Sequence, residues 1–228
     1  MEGFILAAGL GTRLRPLTND RPKALVEVGG ITLLEHTIHR LEAAGISHIV
    51  INVHHFADMI TSFVGSRTWQ ACIDISDERA MLLDTGGGLK HAAPLFSGNG
   101  NILVHNVDIL SDIDLCDVEV QHIAQGNLVT LCTSQRPTQR LLAFDCHGCL
   151  VGRADHGMAF SGVSVVSPQL FDLLPDADHP YPVIDEYIRL ASAGYRIGHY
   201  EHAAARWLDV GKPETLKQAE QWIVSSPQ

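Results

Sequence analysis

The sequence has too little positive charge, too few apolar runs and too few cysteines for several broad functions. Lys and Arg total 16 against 26 Asp and Glu, a formal net charge of −10. Duplex nucleic acid is therefore excluded as an expected partner, because gripping a phosphate backbone needs a basic footprint. A small phosphorylated ligand is not excluded, since a few basic residues in one cleft suffice. No apolar run reaches the roughly 20 residues of a membrane-spanning helix, so no membrane association is expected. The cysteines are Cys72, Cys116, Cys132, Cys146 and Cys149, an odd number that fits a reducing compartment. The opening Met1-Glu2-Gly3-Phe4-Ile5-Leu6 has no basic region, so no signal peptide is expected and the cytoplasm is the default location. There is no Gly-Lys-Ser/Thr P-loop, internal repeat, low-complexity tract or obvious linker.

What is present is an ordinary globular composition, 46% hydrophobic and 18% charged over 228 residues, enough to bury a sizeable core without staples. One compact domain over residues 1–228 is expected. The apolar run Gly3 to Ala8 reads as a buried first strand. Leu33 to Ala44 reads as a helix, with Leu34, Ile38 and Leu41 on one face and Gly45 as its stop. Further strands are expected at Ile46–Val53, Asn101–Val107, Asn127–Thr133, Ala159–Val166 and Tyr195–Glu201, with a hairpin of Leu141–Phe144 and Cys149–Gly152 around His147-Gly148. Helices are expected at Phe56–Val64, from Gly86 to about Leu95, after Ser167-Pro168, at Ile184–Ala193 and at Glu214–Val224. Alternating strands and helices in the first half argue for right-handed βαβ units and a mostly parallel sheet flanked by helices, a Rossmann-like three-layer α/β/α fold, with a mixed second half.

Ligands in such sheets bind beyond the carboxyl ends of the strands. The segment Leu6-Ala7-Ala8-Gly9-Leu10-Gly11-Thr12-Arg13-Leu14 follows the first strand directly. Gly9 and Gly11 allow close backbone approach, successive N–H groups in such a turn form an anion nest, and Arg13 adds a fixed guanidinium for phosphate oxygens. The dinucleotide fingerprint needs a third glycine where this chain has Leu14, so that reading fails. The longer stretch, G-x-G-T-R-L-x-P-L-T followed by Pro22-Lys23, resembles the family of sugar-1-phosphate nucleotidyltransferases.

The resemblance carries implications for the rest of the chain, with a nucleotide half at about 1–110 and a sugar half at about 111–228. It implies that Leu6, Ala8 and Gly9 hold base and ribose through their backbone, that Gly11, Thr12 and Arg13 cradle the triphosphate, and that Lys23 neutralises the reacting phosphates. Asp108 ends the strand Ile-Leu-Val-His-Asn-Val-Asp, and Asp209 lies in Trp-Leu-Asp-Val-Gly, matching the family's W-x-D-V-G. The resemblance implies that these two aspartates hold Mg2+, an ion that takes hard oxygen ligands and needs only one or two carboxylates beside phosphate and water. Asp84-Thr85-Gly86-Gly87-Gly88 resembles the family segment that closes over the base, which assigns Asp84, Gly86 and Gly87 to the nucleotide. Phe160-Ser161-Gly162-Val163 resembles its sugar-site strand, and Asn106 precedes Asp108. The family's Glu-Lys-Pro-like element is replaced by Val151-Gly152-Arg153-Ala154-Asp155, leaving Arg153 as the substitute. Sugar contacts are accordingly expected at Asn106, Arg153 and Gly162.

The implied reaction joins a nucleoside triphosphate and a sugar 1-phosphate into an NDP-sugar and pyrophosphate, carried out by a monomer or small homo-oligomer. Among compact relatives, the N-acetylmuramate-1-phosphate uridylyltransferases are favoured over mannose-1-phosphate guanylyltransferases. A phosphocholine-type cytidylyltransferase and a silent nucleotide-binding subunit are the alternatives. The single Cys146-x-x-Cys149 cannot close a tetrahedral zinc site and reads as a turn. Adjacent His54 and His55 point to opposite faces and do not share a metal. Asn52 or His54 is weighed as a ligand contact against a plain loop, and Trp207 is expected to buttress the Asp209 turn.

Overall fold

The computed structural model describes residues 1–225. Its strands are β1 Glu2–Leu6, β2 Glu27–Val28, β3 Ile31–Thr32, β4 His48–Val53, β5 Cys72–Asp77, β6 Ile102–Asn106, β7 Ile109–Ser111, β8 Val129–Ser134, β9 Leu141–Phe144, β10 Leu150–Ala154, β11 Met158–Val166, β12 Ile197–Glu201 and β13 Trp207–Asp209. Its helices are α1 Leu33–Ala43, α2 Ala57–Gly65, α3 Asp84–Ala92, α4 Leu115–Gln125, α5 Leu170–Leu173, α6 Val183–Ser192 and α7 Pro213–Ser225. Nine strands form one sheet with the order β10-β9-β11-β6-β1-β4-β5, and β8 joins it through β11 and carries β12 on its other edge. β5, β4, β1 and β6 are mutually parallel. β11 runs antiparallel to β6, β8 and β9, so the sheet is mixed, as expected.

The first strands are near-continuous apolar runs because both their faces are buried. Ile5, Ile49, Ile51 and Leu103 face one core, which α1, α2, α4 and α7 close with Leu34, Ile38, Ile60, Val118 and Ala219. Phe4, Val50, Ile102 and Val104 face the other, closed by α3, α5 and α6 with Leu89, Leu170, Tyr187 and Leu190. The result is the three-layer α/β/α arrangement. α1 shows how the sequence specifies its element. Thr32 caps it by accepting the Glu35 N–H at 3.1 Å, and Leu33, Leu34, Ile38 and Leu41 are all fully buried, each contributing on the order of 1.5–3 kcal/mol.

Four features were not expected from the sequence: the strand β5, the helix α4, the β2–β3 hairpin and the β7–β13 ribbon. β5 is an edge strand of the sheet, with Cys72, Asp74 and Asp77 exposed. α4 is capped by Asp114, which accepts from the Cys116 and Asp117 N–H groups, but Val120 and Ile123 on it are exposed, which blurs its apolar face. From β1 the chain passes to β4 on one side, and after β5 it returns to β6 on the other. The carboxyl ends of β1 and β6 therefore flank the point where strand order reverses, the place where open α/β sheets form a ligand crevice.

Candidate active site

The loop leaving β1 is built around Gly11, which has φ +62°, a conformation that favours glycine. A side chain there would start 2.9 Å from the Lys23 Cβ and 3.1 Å from Thr18 Cγ2. The Thr18 hydroxyl donates to the Gly11 carbonyl at 2.8 Å. The short turn Thr12–Leu14 follows; Leu14 is fully buried in the first core. That anchor leaves Thr12 and Arg13 facing solvent. Leu6 ends β1, and Gly9 is exposed at the loop crest.

Asn52 at the end of β4 holds the start of this loop. Its Oδ1 accepts from the N–H groups of Ala7 at 2.7 Å and Ala8 at 3.2 Å, and its Nδ2 donates to Glu78 Oε1 at 2.7 Å. Glu78 Oε2 accepts the Leu83 N–H at 3.2 Å. Burial raises the Glu78 pKa, against the lowering effect of the Asn52 and Leu83 hydrogen bonds. One buried network thus joins the glycine-rich loop to the entry of α3. Asn52 is a buried support and His54 bonds the Glu78 carbonyl at 2.7 Å.

The charged residues singled out in the sequence converge beside this loop. Lys23 donates to Asp108 Oδ2 at 2.7 Å, with both side chains largely buried. The Arg13 guanidinium spans the two aspartates, at 3.9 Å from Asp108 Oδ2 and 3.7 Å from Asp209 Oδ2. Asp108 follows β6, and its carbonyl accepts the Val210 N–H at 2.8 Å. Asp209 reaches it because β13 pairs with β7 in a register that sets Asp209 opposite Ile109. Asp209 Oδ1 also accepts the Gly211 N–H at 2.8 Å. A largely buried carboxylate such as Asp108 persists only when paired, and two cations here meet two carboxylates. The contributors are nearly 200 residues apart in sequence, yet all lie at the β1–β6 crevice.

On the far side of Asp108 lies the region expected to take the sugar. Gly162 sits at a bulge in β11, with φ +76°. A side chain there would start 2.9 Å from Asn106 Nδ2 and 2.8 Å from Ile109 Cγ1, so Asn106 and Gly162 are brought together. Arg136, which the sequence reading did not single out, lies next to them. It donates to the Phe160 carbonyl at 2.6 Å, to Ser134 Oγ at 3.1 Å and to Ser161 Oγ at 3.2 Å. Its guanidinium stacks on the Trp207 ring at 3.9 Å. Burial lowers the Arg136 pKa, and the Asp209 charge opposes that shift. Trp207 Nε1 donates to the Ser161 carbonyl at 2.8 Å. His202 pairs with Ser161 Oγ at 2.6 Å.

Arg153 is not brought to this cluster. It lies on β10, the outermost strand on its side of the sheet, and pairs with Asp185 of α6 at 2.6 Å. The hairpin carrying it is where the sequence places it, but β9 and β11 separate β10 from β6.

The α3 entry is tightly packed. Asp84 has φ +59°, is exposed, and accepts the Thr85 N–H at 2.6 Å. Thr85 Oγ1 accepts the Val183 N–H at 2.9 Å, and the Gly86 N–H donates to the Tyr181 carbonyl at 2.9 Å. The side-chain positions of Gly86, Gly87 and Gly88 face Tyr181, the His179 carbonyl and the Glu78–Asn52 pair, respectively. Their close approach is therefore to the protein's own α6 entry and buried network.

The remaining sequence signals have local explanations. Asp145 Oδ1 accepts the N–H groups of His147 and Cys149 in the hairpin turn, and Gly148 has φ +73°. His105 is fully buried in β6, and burial together with the Arg40 charge pushes its pKa down to about 4. Among the described residues, no group of three or more His, Cys, Asp or Glu is arranged to hold a metal, and no helix is long and apolar enough to cross a membrane.

A family model described as "Nucleotidyl transferase" matches residues 2–143. The N-acetylmuramate alpha-1-phosphate uridylyltransferase of Caulobacter vibrioides is 36% identical over 232 aligned residues, covering 95% of this chain and 94% of that one. The protein of the same name from Neisseria meningitidis serogroup B is 32% identical, covering 96% and 97%. Among solved structures, a UDP-glucose pyrophosphorylase from Acinetobacter baumannii shares the fold with a TM-score of 0.82 at 15% identity, covering 100% of this chain and 94% of that one.

Proposed function

The chain belongs to the nucleotidyl transferase family, and on that premise we propose that it transfers a nucleotidyl group from UTP to N-acetylmuramate 1-phosphate, with release of pyrophosphate. The observation that carries this reading is the convergence of Lys23, Arg13, Asp108 and Asp209 at the β1–β6 crevice, with Lys23 bonded to Asp108 at 2.7 Å. The uridylyl and muramate identities rest on the two relatives that match over almost their full length.

The nucleotide half is residues up to about 110, with Leu6, Ala8 and Gly9 along base and ribose, Gly11, Thr12 and Arg13 at the phosphates, and the exposed Asp84 at the α3 entry. The sugar 1-phosphate lies toward Asn106 and Gly162. Its phosphate is already a competent nucleophile near neutral pH, so no general base is required. A phosphate oxygen attacks the α-phosphorus in line, a new P–O bond forms, and the bond to pyrophosphate breaks.

The donor set fits Mg2+, because Asp108 and Asp209 offer hard carboxylate oxygens and the remaining positions fall to phosphate oxygens and water. When bound there, the cation would supply charge neutralisation at the reacting phosphates. Arg13 and Lys23 contribute fixed positive charge where the transition state gathers negative charge, and Asn52 holds the start of the glycine-rich loop in place beside the crevice. Pyrophosphate release is to be followed for each of the four ribonucleoside triphosphates against a panel of sugar 1-phosphates. Release with UTP and N-acetylmuramate 1-phosphate is expected. Release with GTP and mannose 1-phosphate alone would replace the substrate pair, and no release with any pair would overturn the enzyme reading.

A further inference from the structure

Asp209 stands on a three-residue strand that is far too short to fix a carboxylate by its own ladder. Its position therefore depends on what packs against β13. Trp207 and Asp209 are two apart on that strand and share one face. Trp207 is held at two places: its Nε1–H bonds the Ser161 carbonyl at 2.8 Å, and the Arg136 guanidinium carbon lies over its ring, 3.9 Å from the centroid. Arg136 is itself fixed at four acceptors on two strands, namely Ser134 Oγ of β8 and the Ala159 carbonyl, Phe160 carbonyl and Ser161 Oγ of β11. These β11 residues run directly up to the bulge glycine Gly162. No substrate or phosphate role is needed to account for Arg136. Its Nη1 and Nη2 donors are engaged by the protein, and the Asp209 carboxylate lies near enough to favour its charged form against burial.

We propose that Arg136 is a positioning residue, which clamps the Trp207 ring against the β11 bulge and so sets the Asp209 carboxylate for the cation that Asp108 and Asp209 would hold. The inference rests on reading Asp209 as a ligand to that cation. It also explains why W-x-D works as a unit. The indole is the handle through which the rest of the sheet grips a strand too short to hold itself. Outer-shell groups that orient metal ligands typically govern affinity by a factor of about 10–100.

The test is Mn2+ binding by the intact chain without nucleotide, read as loss of the free-ion paramagnetic resonance signal. The proteins compared are wild type, Arg136→Met, Arg136→Lys, Trp207→Phe and Asp209→Asn. Arg136→Met is expected to weaken Mn2+ binding by about 10-fold or more, and Trp207→Phe to weaken it in the same direction, because the ring loses its bond to Ser161. Arg136→Lys is expected to stay weak, since an ammonium offers neither the flat stack nor the fork. Trp207→Phe still decides the matter if Arg136→Met fails to fold. Wild-type Mn2+ affinity in both Arg136→Met and Trp207→Phe, with Asp209→Asn impaired, overturns the positioning role and leaves the Asp209 assignment standing. Full restoration by Arg136→Lys also overturns it, because charge alone would then suffice. Wild-type affinity in Asp209→Asn overturns the ligand assignment itself.

Discussion

Replacing Asn52 by Ala tests the link between the glycine-rich loop and the rest of the sheet. Asn52 is 1% exposed and makes two short hydrogen bonds, 2.7 Å from the Ala7 N–H and 2.7 Å to Glu78 Oε1, with a longer one of 3.2 Å from Ala8. Ala7 and Glu78 are each 2% exposed, so neither can turn to water. Each buried polar group left without a partner costs roughly 1–3 kcal/mol. The two short bonds together then account for about 4 kcal/mol of lost stability. For a chain of this size a loss of that order lowers Tm by about 10 °C. Thermal unfolding by circular dichroism reads this directly. Pyrophosphate-release kinetics should show a higher KM for UTP, because the amides of Ala7 and Ala8 lose their fixed direction. Asn52→Asp should be no better, since it sets a second carboxylate against Glu78. A Tm within about 2 °C of wild type would refute the claim that this residue braces the loop.

Gly162→Ala forces an L side chain into φ +76° with its Cβ under 3 Å from Asn106 and Ile109. The backbone alone should cost about 1–3 kcal/mol, visible in chemical denaturation, and the KM for the sugar 1-phosphate should rise more than that for UTP. Lys23→Met should lower kcat by roughly 10²–10³ in steady-state assays; an unchanged kcat would remove Lys23 from the reacting phosphates. His48 ties β1, β4 and β5 through Glu2 at 2.6 Å and Asp74 at 3.0 Å. Burial opposes its charge, but those bonds prevail and raise its pKa above 6.5. Its stabilisation should therefore be fully present below about pH 6.5 and be lost as pH rises through the higher folded value. The Tm gap between wild type and His48→Gln should be wide at pH 6 and close in mildly alkaline buffer, and a gap that widens with pH would contradict the sign.

The parts of the site legible in the sequence are those encoded locally. Gly9 to Lys23 is one continuous motif after an apolar strand, and Asp209 is marked by its neighbours Trp207 and Gly211. What was not legible depends on pairing between distant segments. The β7–β13 ribbon joins two three-residue strands almost 100 positions apart, too short for any periodicity to show. Asn52 and Glu78 become a brace only because β4 and β5 lie side by side. α4 was missed because Val120 and Ile123 put apolar side chains on its exposed face. Arg153 stands where the family's Glu-Lys-Pro-like element would fall, which is why the resemblance points it at the sugar, whereas the sheet inserts β9 and β11 between its strand and β6. Arg136 had no local signal at all. A lone Arg before Pro137 reads as a solvated loop residue, and only the fold shows it lying on Trp207. The glycines of α3 signal close approach, and in the fold the groups beside them are Tyr181, the His179 carbonyl and the Asn52–Glu78 pair.

The proposed nucleotidyl transfer turns on Asp108, held between Lys23 and Arg13. Its most direct test is pyrophosphate release from UTP and N-acetylmuramate 1-phosphate by wild type and by Asp108→Asn at equal, verified folding. The wild type should release pyrophosphate in step with UDP-sugar formation while the variant falls to background; a variant that keeps the wild-type rate would contradict the account.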